Sequence, residues 1–135
     1  MKILLLDIET SPIEAYVWGV WQQNVAQNQI KEPSHILCWS AKWLGEKKMR
    51  GAARWWRGEK PMLREIHALL DETDAVVTYN GAKFDIPVLN REFAILRMPP
   101  PSPYKQIDLY REVKRLFRLE SNRMDAVLKR FAVGA

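Results

Sequence analysis

Apolar and polar positions change period several times along the chain. Residues 2–8, KILLLDI, form a nearly continuous apolar run of strand length, the pattern of a central strand covered on both faces. Thr10-Ser11-Pro12 ends it, because proline cannot continue a ladder. IEAYVWGV at 13–20 and HILCWSAKWL at 35–44 predict two more strands, and MRGAARWW at 49–56 predicts a hairpin partner for the second across the turn-like Gly45-Glu46-Lys47-Lys48. Between them, QQNVAQNQIKEPS is polar and aperiodic, a surface loop open to ordering by a ligand.

From Pro61 the period becomes helical. Met62, Ile66, Leu69 and Leu70 share a face, Pro61 suits a first turn, and the pattern stops near Asp71-Glu72-Thr73-Asp74. AVVTYN at 75–80 is a short apolar strand broken by Gly81, and FDIPVLNREFAILRM at 84–98 returns to helical period until the PPPSP brake. IDL at 107–109 predicts a last short strand. LYREVKRLFR and SNRMDAVLKRF then predict amphipathic helices, the second capped by Ser121.

Antiparallel strands first, then alternating strands and helices, predict an α/β domain: a mixed sheet of three antiparallel strands followed by parallel ones, with flanking helices. The crossover through the helix at 61–71 sets AVVTYN parallel to LLLDI, so both strands end at one edge of the sheet. Ligands of open α/β sheets sit beyond such ends. That places Asp7 and Glu9 near the segment Tyr79-Asn80-Gly81-Ala82-Lys83-Phe84-Asp85.

The length, 135 residues with 47% apolar and 27% charged, suits a single domain over 1–135. No apolar run approaches the roughly 20 residues that span a bilayer, so no membrane is implied and a cytoplasmic setting is expected, bacterial or in a phage-infected host. Cys38 is the only cysteine, which excludes an internal disulfide and argues against a cysteine-based zinc site; its apolar neighbours predict a core thiol. Net charge is +5, and residues 97–135 hold the whole excess: Arg97, Lys105, Arg111, Lys114, Arg115, Arg118, Arg123, Lys129 and Arg130 against Asp108, Glu112, Glu120 and Asp125. A basic final third points toward a polyanion such as nucleic acid, although solvated helix faces carry similar charge.

Asp7 and Glu9 stand two apart on a strand, so they point to one face with alpha carbons about 6.5 Å apart. Like charges there call for solvent, protons or a cation, and oxygen-only ligation selects magnesium or manganese. The plain alternative is a solvated acidic strand end. Asp85 opens a helix, where an acid is favoured by about 0.3–1 kcal/mol whatever its function; that does not account for Asn80 and Gly81 just before it.

LLDIETSP followed by VVTYNGAKFDIPVLNREF resembles the first and second motifs of the DEDD (DnaQ-like) 3′–5′ exonuclease superfamily, in the N-x-x-x-F-D-x-P form of family B polymerases and small phage exonucleases. YVWGVW, HILCWSAKWLG, PYKQIDLYREVKRLFR and SNRMDAVLKRF extend the likeness over the chain. The resemblance implies a ribonuclease H-like fold. It implies Asp7 as the ligand shared by two Mg²⁺ or Mn²⁺ ions, Glu9 as a ligand of the nucleophile-side ion and Asp85 as the second-motif acid. Thr10, Asn80 and Phe84 would meet the substrate. Lys83 is a candidate for its phosphates and Trp18, beside Trp21 near the polar loop, for its bases. The remaining tryptophans, Trp39, Trp43, Trp55 and Trp56, are expected in the core or on sheet faces. The implied reaction is hydrolysis of terminal phosphodiester bonds of single-stranded DNA or frayed 3′ ends, with ions about 3.5–4 Å apart.

Such enzymes use a fourth acid in a late Y-x-x-x-D or H-x-x-x-x-D motif. Tyr104 and Asp108 match the first spacing, but the family's aspartate at the IDL position is structural, and Asp125 matches a position that is not catalytic. The chain is therefore expected to be a C-terminally truncated domain lacking one ligand and the last helix, to expose apolar surface and to self-associate through it. Two other readings follow: a catalytically silent nucleic-acid-binding or assembly module on the same fold, and a ribonuclease H-like endonuclease.

Overall fold

The computed structural model of the chain describes residues 1–134. Seven strands form, β1 (Ile3–Thr10), β2 (Glu14–Ala15), β3 (Ile30–Glu32), β4 (Ile36–Trp43), β5 (Arg50–Ala53), β6 (Ala75–Thr78) and β7 (Lys105–Asp108). Five of them make one sheet in the order β5-β4-β1-β6-β7. β4 runs antiparallel to β1 and to β5, while β6 is parallel to β1 and β7 to β6. This is the expected mixed sheet, with three antiparallel strands followed by parallel ones.

The apolar run of β1 explains its central place. Leu4, Leu6 and Ile8 alternate onto one face and are buried there with Ile36, Trp39, Ala41 and Trp43 of β4 and its start. Helices α1 (Arg54–Arg57), α2 (Glu59–Glu72) and α3 (Asp85–Ile95) follow the antiparallel part. α2 and α3 cover this face with Met62, Leu63, Ile66, Leu70, Ile86, Leu89 and Phe93, all buried. Each such side chain contributes about 1.5–3 kcal/mol by leaving water. The Trp39 indole donates to the carbonyl of Met62 at 2.8 Å, which locks β4 to α2.

The opposite face is thinly covered. Leu5, Val77, Met49, Leu109 and Met124 line a groove of about 380 Å³ there, with Asp7, Ser40 and Lys42 along it. Leu109 and Met124 come from helices α4 (Leu109–Leu116) and α5 (Met124–Arg130).

Three sequence readings need correction. Of IEAYVWGV at 13–20 only Glu14 and Ala15 are strand, and they pair with β3 in a separate two-stranded ribbon; the polar stretch read as loop supplies that β3 and a short 3₁₀ turn at Gln27–Gln29. In MRGAARWW the strand stops at Ala53, and Trp55 and Trp56 turn into α1, both exposed. Ser121 does not cap α5: the cap is Arg123, whose amide donates to Ser121 Oγ at 3.3 Å.

Candidate active site

β1 is longer than β6. Only Ile3, Leu4 and Leu5 pair with β6, so from Asp7 onward the parallel-side edge of β1 is free, and the chain leaving β6 curls across it through Tyr79–Phe84 to Asp85. On its other side β1 stays paired, Asp7 opposite Ser40 and Glu9 opposite Cys38, until a bulge shifts the register between Glu9 and Thr10. Such irregularities re-aim side chains at strand ends. Ile8 between the acids is buried and both acids are exposed.

At this step in the sheet Asp7 and Glu9 lie near enough to Asp85 for their charges to act on its carboxyl. Asp85 is half-buried, and its carboxyl is pushed up from 3.8 to about 6, first by burial, then by the negative charge of Asp7 and, less, of Glu9. The backbone amides of Ile8 and of Asp85 itself pull the other way. Cys38 is half-buried, not a core thiol, and its thiol is raised by burial, by Glu9 and by Asp7. A half-buried acid raised first by burial and then by two neighbouring carboxylates sits in a site with the charge and the all-oxygen donors that suit a hard divalent cation. Among the described residues, however, no three His, Cys, Asp or Glu side chains are gathered closely enough to hold an ion on their own. The donors fit the expected metal; their spacing is not that of a closed cage.

The loop that delivers Asp85 is pinned by a residue outside the expected set. Asp108, at the end of β7 and capping α4, is buried; its Oδ1 accepts from the amides of Asn80 (2.7 Å) and Tyr110 (3.0 Å) and its Oδ2 from Ala82 (3.3 Å). Three amides on one carboxylate hold Asn80 in a left-handed conformation, φ 63°. Gly81 follows because a β-carbon there would collide with the Thr78 side chain. Asp108 is thus structural, as the IDL position implied, and Tyr104 lies partly buried against the core, so the Tyr104–Asp108 spacing is no ligand motif. Asp125 is exposed and pairs with Arg123 at 3.7 Å.

The remaining expected residues separate into three places. Asn80 and Lys83 line a basic groove with Tyr110, Arg111, Lys114 and Arg115 of α4. Phe84 is exposed at the start of α3, with the Lys83 ammonium 5.6 Å from its ring centre, and Thr10 is exposed beyond the bulge. Trp18, 99% exposed, lies apart: with Tyr16, Val17, Asn28 and Gln29 it lines a hollow of about 620 Å³ that includes none of the acids. Arg91 of α3 is occupied by buried Glu92 (2.8 Å) and the Ser34 carbonyl (3.0 Å). Among the described residues no helix is long and apolar enough to cross a membrane.

The fold agrees with what the chain is similar to. A family model described as the RNase_H superfamily matches residues 4–133. The chain belongs to the ribonuclease H superfamily, which supports a nuclease-type function and, in general, use of divalent ions. Among solved structures it is similar to the family B DNA polymerase from the hyperthermophilic archaeon Pyrobaculum calidifontis, at 17% identity and a TM-score of 0.70 over 96% of this chain. It spans 18% of that polymerase's length. No curated protein matches it in sequence.

Proposed function

We propose that the chain is a metal-dependent 3′–5′ exonuclease acting on single-stranded DNA or frayed 3′ ends. The observation that carries this reading is the approach of Asp85 to Asp7 and Glu9 where β1 outruns β6, with the Asp85 carboxyl raised to about 6 first by burial and then by the charges of Asp7 and, less, Glu9. Asp7, Glu9 and Asp85 would hold Mg²⁺ or Mn²⁺, which when bound supplies the positive charge that attack by water and departure of the 3′ oxygen both require. The protein's own part is placement. Asp108 and Gly81 fix the loop, and the loop sets Asp85 against the open edge of β1. Asn80, Lys83 and Phe84 then border the approach for a strand end, with Thr10 at the end of β1 and Trp18 as a more distant stacking surface.

A second reading, the silent binding or assembly module, is favoured by one observation: the absence among the described residues of a three-ligand cluster. Mn²⁺ titration followed by electron paramagnetic resonance, paired with cleavage of a 5′-labelled single strand, separates the two. The exonuclease reading expects bound Mn²⁺ and shortening products, both lost in Asp7→Ala, with the rate down at least about 100-fold. Strand binding without bound Mn²⁺ or cleavage supports the silent module.

A further inference from the structure

The cationic groove along α4 is not part of the acidic centre, and its composition indicates what it holds. Asn80, Lys83, Tyr110, Arg111, Lys114 and Arg115 enclose about 470 Å³. Tyr110 and Lys114, and Arg111 and Arg115, are four apart on the helix, so each pair repeats at about 6 Å along the axis and the cations form a stripe. The two arginines have carboxylate neighbours, Arg111 at 3.9 Å from Asp108 and Arg115 at 2.7 Å from Glu112. Among the described residues the two lysines have none. Instead the Lys83 ammonium lies 5.6 Å from the ring centre of Phe84 and that of Lys114 5.3 Å from the ring centre of Tyr110. Cations without carboxylate partners, set beside aromatic rings in one groove, are the combination that tracks a single strand, the cations meeting phosphates and the open ring surface meeting bases or sugars.

We propose that this groove is a sequence-independent track for the phosphodiester backbone of a single strand, leading from α4 past Asn80 to the acids. The inference rests on the nuclease reading and deepens it: Asn80 and Lys83 belong both to the groove and to the loop that carries Asp85, so a strand held there is guided to the strand end of β1. Asp108 couples the two, since it caps α4 and receives the Asn80 amide. Phosphates entering the groove replace no existing ion pair at Lys83 or Lys114.

The test is fluorescence anisotropy of a labelled oligothymidylate in chelator, where the strand is not cut, over a salt series. Each phosphate contact on a single strand contributes about 0.7 to the slope of log affinity against log salt. Lys83→Gln/Lys114→Gln should lower that slope by about 1.4, and Lys114→Arg should leave it at the parent value. Both lysines are exposed, so the fold, checked by circular dichroism, should persist. Lys47→Gln/Lys48→Gln, an equal charge change on the turn before β5, should leave the slope unchanged. An unchanged slope in the groove variant, or an equal drop in the turn variant, overturns the track. If the parent still cuts with metal, the nuclease reading survives that failure; a parent that neither binds nor cuts the strand overturns both.

Discussion

Asp85 is the residue on which charge and position act together. The unfolded chain loses this proton near pH 4, whereas the folded protein keeps it until about 6. The folded state therefore binds more protons between those values, and stability from this group falls as pH rises from about 4 to 6, with the full penalty standing above. In chelator at pH 7.5, Asp85→Asn should melt at a higher temperature than the parent, and the parent should gain on acidification toward pH 5 while the variant gains less. Magnesium should then stabilise the parent more than the variant. Equal melting curves at both pH values would show that neither burial nor the charges of Asp7 and Glu9 raise the Asp85 carboxyl. Gly81 acts at the same scale but sterically: Gly81→Ala places a methyl group on Thr78 and should destabilise by about 1–3 kcal/mol, as overpacking does, measured by urea unfolding. The pairing of Thr78 with Gly81 accounts for the glycine; the sequence marked only a break after a strand.

At the scale of elements, Asp108 ties β7, α4 and the loop before α3 into one unit. Asp108→Ala leaves three amides without their carboxylate and should lower stability by about 2–4 kcal/mol, a helix cap plus buried hydrogen bonds. Its amide protons at Asn80 and Ala82 should exchange faster, and any metal-dependent cleavage should fall although Asp108 touches no ion. The unit also shows where sequence reading stops. β1, β4, β6, α2 and α3 were legible because long apolar runs or helical stripes leave one solution each. IEAYVWGV was not, because its alternation resembles a sheet strand while the residues beyond Ala15 have no sheet partner to pair with. Trp55 and Trp56 carry strand propensity, but β5 ends at Ala53 opposite Cys38 and the chain turns at Arg54; strand preference depends on that context. The acids were legible as types and spacings. The three-amide grip of Asp108 was not, since it joins positions 26 and 28 residues apart.

The whole molecule has two unlike faces. One is closed by α2 and α3; the other leaves Leu5, Val77, Leu109 and Met124 around an open apolar groove. Apolar surface of this kind tends to find a partner, and we expect concentration-dependent self-association by light scattering, weakened by Val77→Lys; a monomer at all concentrations would contradict it. Asp7 lines the same groove, so association is expected to slow cleavage of long strands at high protein concentration. The central claim, that β1 and the β6–α3 loop together build a strand-end nuclease, is tested most directly by incubating the chain with one oligonucleotide labelled at its 5′ end and another at its 3′ end, with and without Mn²⁺. A stepwise ladder is expected from the 5′-labelled strand and immediate release of labelled mononucleotide from the 3′-labelled one, only with metal and not with Asp85→Asn. Intact strands in every lane, or a ladder that Asp85→Asn leaves unchanged, would contradict it.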